Sequence, residues 1–176
     1  SRPVHGPLLT DIERIVPVNW KTDYRSIYYD GAPEPDDLVL KPEETALLVI
    51  DVQNTYLKRP DRDGLSADEQ SSYDAWTPFH DRMRDSVIPR TRELLDLCRA
   101  SDIECLFARI ACHTTDGRDR SLSQKMPGWN NLLLPKNDEP SQMVDILSPQ
   151  GDEICVTKTT DSALTGTNLR LILNNV

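Results

Sequence analysis

The chain has 176 residues, 38% of them hydrophobic, a formal net charge of −9 and a pI near 4.8. That length supports one domain with a real core, and the acidic balance repels polyanions, which argues against nucleic acid and anionic membrane as partners. No apolar run approaches the roughly 20 residues that span a bilayer; the four cysteines, Cys98, Cys105, Cys112 and Cys155, show no CxxC spacing and no secretory leader precedes them, so reduced thiols in a cytoplasmic protein, without zinc, are expected.

Residues 1–44 carry Pro3, Pro7, Pro17, Pro33, Pro35 and Pro42. Such proline density blocks a long helix and predicts an extended N-terminal arm, with Trp20, Tyr24, Tyr28 and Tyr29 available to pack it down. A domain is expected over 45–176. It opens with Ala46-Leu47-Leu48-Val49-Ile50, five apolar residues in a row, which read as a parallel strand buried on both faces and ending at Asp51. A polar loop should follow over about 58–74, and then helix over 74–101 in two pieces meeting near Ser86 to Pro89. Glu104 to Ile110 reads as a second buried strand, Glu153 to Lys158 as a third, and 167–175 as a closing helix.

Strand, helix, strand at these distances is a right-handed crossover with parallel strands. The expected fold is α/β: a doubly wound open parallel sheet with helices on both faces, three layers in all, preceded by the arm. Parallel strands deliver their carboxyl ends to one edge, where ligands gather in such sheets. Asp51, the Ala111-Cys112-His113 loop and Lys158 should meet there. Asp51 alone could equally serve the backbone of the following turn. A P-loop needs GxxxxGK[ST] upstream, an aspartyl phosphotransferase a second Asp where Gln53 stands, and a dinucleotide site GxGxxG; the chain has none of these.

Leu47-Leu48-Val49-Ile50-Asp51-Val52-Gln53-Asn54, followed roughly a hundred residues later by Lys158-Thr159-Thr160-Asp161-Ser162-Ala163-Leu164-Thr165-Gly166-Thr167-Asn168-Leu169, resembles the isochorismatase-like cysteine hydrolases. That family includes nicotinamidases, N-carbamoylsarcosine amidase, biuret hydrolase and ureidoacrylate amidohydrolase. The resemblance implies a catalytic acid/base at Asp51, a catalytic cation at Lys158 and substrate-binding roles for Tyr56 and His113. It implies hydrolysis of a small amide or ureide through a thioester, with no cofactor, in a homo-oligomer. No metal is expected. No His lies between Asp51 and His80, where metal-binding nicotinamidases place one, and Leu164 replaces the usual Phe. The family's nucleophilic cysteine stands on a strand-to-helix elbow after a further strand, so it is expected beyond residue 176, with the domain incomplete at its C-terminus. Cys112 is not expected to be the nucleophile: it lies in a polar loop, and Cys98, Cys105 and Cys155 read as packing residues. A vinyl-ether hydrolase on the same fold and a non-catalytic interaction protein are the alternatives.

Overall fold

The computed structural model describes residues 21–23, 25–127 and 133–176. The chain divides into two units, Ser1–Val39 and Leu40–Val176. In the first, a single 3-10 turn at Ile27–Tyr29 is capped by Ser26, whose hydroxyl accepts the Tyr28 N–H. Lys21 pairs with Asp37 at 2.7 Å and donates to the Pro35 carbonyl at 2.8 Å, so residues 21–37 fold back on themselves. Trp20 and Tyr24, two of the aromatics expected to pin the arm, lie outside the described residues.

The second unit is built on three parallel strands in the order β1-β2-β3: β1 at Ala46–Ile50, β2 at Glu104–Ile110 and β3 at Cys155–Lys158. Strand side chains alternate between faces, and the apolar ones sort accordingly. Val49, Cys105 and Phe107 join one core cluster with Leu95 and Cys98; Leu106, Ala108 and Val156 join another with Ala163 and Leu169. Leu95 and Cys98 come from helix α3, Ile88–Ala100; Ala163 and Leu169 come from α5, Ala163–Gly166, and α6, Leu169–Leu173. Helices therefore cover both faces, as expected for a doubly wound sheet.

Three local expectations need correction. Only Val49 of β1 is buried, and Ile50 is 48% exposed, because β1 is an edge strand among the described residues. Helix α2 starts at Ala67, well before residue 74, and runs to Arg82; Ser66 and Glu69 close its N-terminus, the Glu69 carboxylate accepting the Ser66 N–H at 2.9 Å and the Ser66 hydroxyl at 2.6 Å. The closing helix is two short pieces, α5 and α6, the first capped by Ser162, whose hydroxyl accepts the Thr165 N–H. The break in the long helix falls near its expected place: a π-turn at Met83–Val87 separates α2 from α3, and Pro89 sits in the first turn of α3, where its missing N–H costs nothing.

The approach to β3 is fixed by Arg99 of α3, which donates two parallel hydrogen bonds to Glu153 at 2.7 and 2.8 Å. These bonds, with another from the Gln150 N–H, hold the Glu153 carboxyl below its ordinary value of 4.5. A carboxylate lowered in the folded state contributes stability above its unfolded value and loses it as pH falls through the folded value. Glu153→Gln is therefore expected to lower stability by about 2 kcal/mol at pH 7. In urea melts the gap to the unsubstituted protein should narrow as pH drops below 4.5; a gap that stays constant down to strongly acid pH would show that the pair does not act this way.

Candidate active site

β1 ends in a turn that its sequence makes possible. Asp51 has φ 58°, in the left-handed region that Asp and Asn tolerate better than other residues with a β-carbon. Its N–H still continues the ladder to the Ala108 carbonyl at 2.9 Å. Two residues on, Gln53 is fully buried, and its amide makes three hydrogen bonds: it donates to the carbonyls of Ile110 and Ser141 at 2.9 and 2.8 Å, and accepts the Ile110 N–H at 2.8 Å. Gln53 thus rivets the end of β1 to the end of β2. The same segment is tied to residues 142–144 by Asn54 N–H to the Gln142 carbonyl and Val144 N–H to the Val52 carbonyl, both 3.0 Å.

Lys158 ends β3 opposite Ile110. Its side chain is 2% exposed, and its ammonium donates to Asp51 Oδ2 at 2.8 Å, with the Asp51 side chain 35% exposed. The register explains why the turn at Asp51 is needed. Val49 packs on one face and Val156 on the other, so strict alternation would send Asp51 and Lys158 to opposite faces. The left-handed turn ends that alternation and lets the carboxylate meet the ammonium across the end of β2. The other oxygen, Asp51 Oδ1, is buried and has no hydrogen-bond partner among the described residues.

Tyr56 stands in the short helix α1, Asn54–Leu57. Its phenol is pushed up by burial, and further by the Asp51 and Asp161 carboxylates. It lines two cavities. One is an open groove of about 660 Å³ walled by Asp51, Trp76, Phe79, His80 and Met83; the other is a small pocket bounded by Ala111, Cys112, Arg120, Gln124 and Thr159. His80 is depressed by burial and by Arg59, which favours its neutral form. His113 is exposed, lines neither cavity, and has its backbone N–H held by Asp119 at 2.7 Å. The sheet edge therefore gathers Asp51, Lys158 and Tyr56, and leaves the His113 side chain outside. Among the described residues no three His, Cys, Asp or Glu side chains converge as a metal site would require.

The thiols are muted. Cys112 is fully buried, and burial raises its pKa, as it does for Cys155 and for Cys105, which is pushed up to about 11. Sequence reasoning missed Arg120, Gln124 and Asp161, which lie at the same edge. Gln124 is buried and donates to Asp161 Oδ1 at 2.6 Å, three residues past Lys158. The available signal was Gly117-Arg118-Asp119-Arg120, a glycine and paired charges in the loop after β2.

The Isochorismatase domain model matches residues 45–176. The chain belongs to the isochorismatase family. Among curated proteins it is 25% identical over 158 residues to the ureidoacrylate amidohydrolase RutB of Agrobacterium fabrum, a match that takes in 79% of this chain and 62% of that protein. It is also 25% identical over 164 residues to RutB of Rhizobium rhizogenes, covering 85% and 61%. The chain thus spans about three fifths of the length of these relatives. Among solved structures, a cysteine hydrolase from Pseudomonas syringae superposes with TM-score 0.57 at 20% identity, over 77% of this chain and 55% of that one. An isochorismatase family protein from Burkholderia thailandensis gives 0.51 at 24%, over 77% and 60%. At such identities these two structures speak for the isochorismatase fold alone.

Burying an ammonium is tolerable only beside a counter-charge, and removing one partner of a buried pair typically costs 3–5 kcal/mol. Asn tolerates the left-handed turn, so Asp51→Asn isolates the charge. It is expected to destabilise the protein by about 3 kcal/mol, the low end because the carboxylate is partly exposed. Adding Lys158→Met, which removes the orphaned cation, should restore most of the loss in chemical denaturation. If the double variant is no more stable than Asp51→Asn alone, the pair is not what the edge is built around.

Proposed function

We propose that this isochorismatase-family chain carries the acid/base half of a cysteine-dependent hydrolase that cleaves the C–N bond of a small amide or ureide. The observation that supports it most is the buried Lys158–Asp51 pair with one carboxylate oxygen unengaged. A thiol brought to this edge would lose its proton to Asp51 Oδ1, while the Lys158 ammonium favours the thiolate. The sulfur attacks the substrate carbonyl carbon, and the tetrahedral oxyanion takes hydrogen bonds from backbone N–H groups. As the C–N bond breaks, Asp51 returns the proton to the leaving amine. Water, deprotonated by the same carboxylate, then cleaves the thioester and releases the thiol. The cycle consumes one water and calls for no cofactor and no metal.

The four cysteines of this chain suit the role poorly. Three have thiols pushed up by burial, and Cys98 packs in the core cluster with Leu95. In this reading the nucleophile is a thiol other than these four. Tyr56 would line the substrate site and His113 would act at its rim, in a cytoplasmic homo-oligomer acting on a small molecule. The amidohydrolase name of the RutB relatives favours C–N cleavage over a vinyl-ether reaction.

The test is ammonia release from a panel of small amides and ureides by the full-length gene product. Turnover of at least one member is expected, and Asp51→Asn, assayed well below its melting temperature, should lose about a hundredfold in kcat or more. A folded Asp51→Asn variant with near-normal turnover would refute the assignment.

A further inference from the structure

Helix α2 carries aromatic side chains that the core does not use. None of its 16 residues is buried, whereas α3, the next helix, buries Leu95 and Cys98. Yet Trp76, Phe79, His80 and, one residue past the helix end, Met83 follow the i, i+3, i+4, i+7 spacing of a single helix face. All four line the groove that holds Asp51. Trp76 is 58% exposed and Phe79 40%. Scattered exposed apolar residues are ordinary, but contiguous ones mark binding surfaces. The rings also have a fixed arrangement: Phe79 stands at 85° to Trp76, with centroids 5.7 Å apart, and at 81° to His80, with centroids 5.2 Å apart. Perpendicular rings set a face beside an edge, a surface on which a further flat ring packs offset over one and edge-on to the other.

Size and polarity point the same way. At about 660 Å³ the groove is in the range of sites that take drug-sized ligands, which leaves room for a ring beside the group that reacts at Asp51. Ile50, 48% exposed at the end of β1, lines the same groove. Phe79, Met83 and Ile50 offer a ureido or carboxylate group no hydrogen bond in place of the water it would give up there, whereas an apolar ring gains by leaving water. We infer that Trp76 and Phe79 are specificity residues that bind a flat apolar group of the substrate, making the preferred substrate an aryl-bearing amide and not a short polar ureide. The inference rests on the amidohydrolase reading and narrows it.

The experiment compares 3-phenylpropionamide with propionamide, which differ only by the phenyl ring and release the same single ammonia, and with 3-ureidopropionate as the short polar ureide. The full-length protein should favour the aryl amide over each of the others by at least about tenfold in kcat/KM, the size expected for removing one ring from water. Trp76→Ala should lower the ratio of the two amides by about tenfold, through a raised KM for the aryl amide, and Trp76→Phe, which restores a ring, should recover most of it. If propionamide or 3-ureidopropionate is cleaved as well as the aryl amide, or if the preference survives in Trp76→Ala, the inference falls while the amidohydrolase reading stands. Should none of the three be cleaved, calorimetric binding of 3-phenylpropionamide decides: binding that weakens in Trp76→Ala keeps the aryl site and counts against the amidase, and no binding overturns the inference. Should Trp76→Ala fail to fold, Phe79→Leu is used, for which the same loss of preference is expected and an unchanged preference overturns the inference.

Discussion

An ammonium taken out of water needs a partner, and this requirement organises the carboxyl edge of the sheet. Lys158 is nearly inaccessible and reaches Asp51 at 2.8 Å across the end of an intervening strand. Neighbouring strands lie about 4.8 Å apart, so the two residues begin roughly two strand spacings from each other and on opposite faces by alternation. Their meeting depends on a backbone turn with φ 58° at Asp51. Such a turn persists only where the surroundings hold it. Here the holding is done by Gln53, whose three buried hydrogen bonds lock β1 to β2 just beyond the turn.

The same arrangement gives the edge its chemical asymmetry. One oxygen of Asp51 is committed to Lys158, and the other is buried with no donor on it among the described residues. A carboxylate split in this way is oriented by one oxygen and available through the other. Tyr56 lies close enough to Asp51 and Asp161 for both to oppose its ionisation, so it presents a neutral phenol between the two cavities. Gln124 and Asp161 tie the loop after β2 to the loop after β3. The site is thus assembled from three loops, joined by the buried amides of Gln53 and Gln124.

Much of this was legible in the sequence because it depends on local pattern. The apolar runs at 46–50 and 104–110 placed two strands, the strand ends placed Asp51 and Lys158 on one edge, and the family motifs linked the two. What could not be read depends on long-range packing. The run at 46–50 looked buried on both faces, yet burial of a strand depends on its neighbours, and β1 has one on only one side among the described residues. Gln53 stood in a motif, but nothing local showed that its amide would bond to residues 57 and 88 positions away. Arg120 was hidden in a charged loop, where an oriented guanidinium and a solvated one have the same sequence. The capping box at Ser66 and Glu69 was a local signal passed over.

We propose that Asp51 and Lys158 serve a thiol that is not among Cys98, Cys105, Cys112 and Cys155. Labelling the active full-length protein with an electrophilic substrate analogue, followed by peptide mapping, tests it most directly. Activity is expected to be lost with modification of a different cysteine, and that modification is expected to slow markedly when Asp51 is replaced by Asn. Loss of activity tracking modification of Cys112 would contradict it.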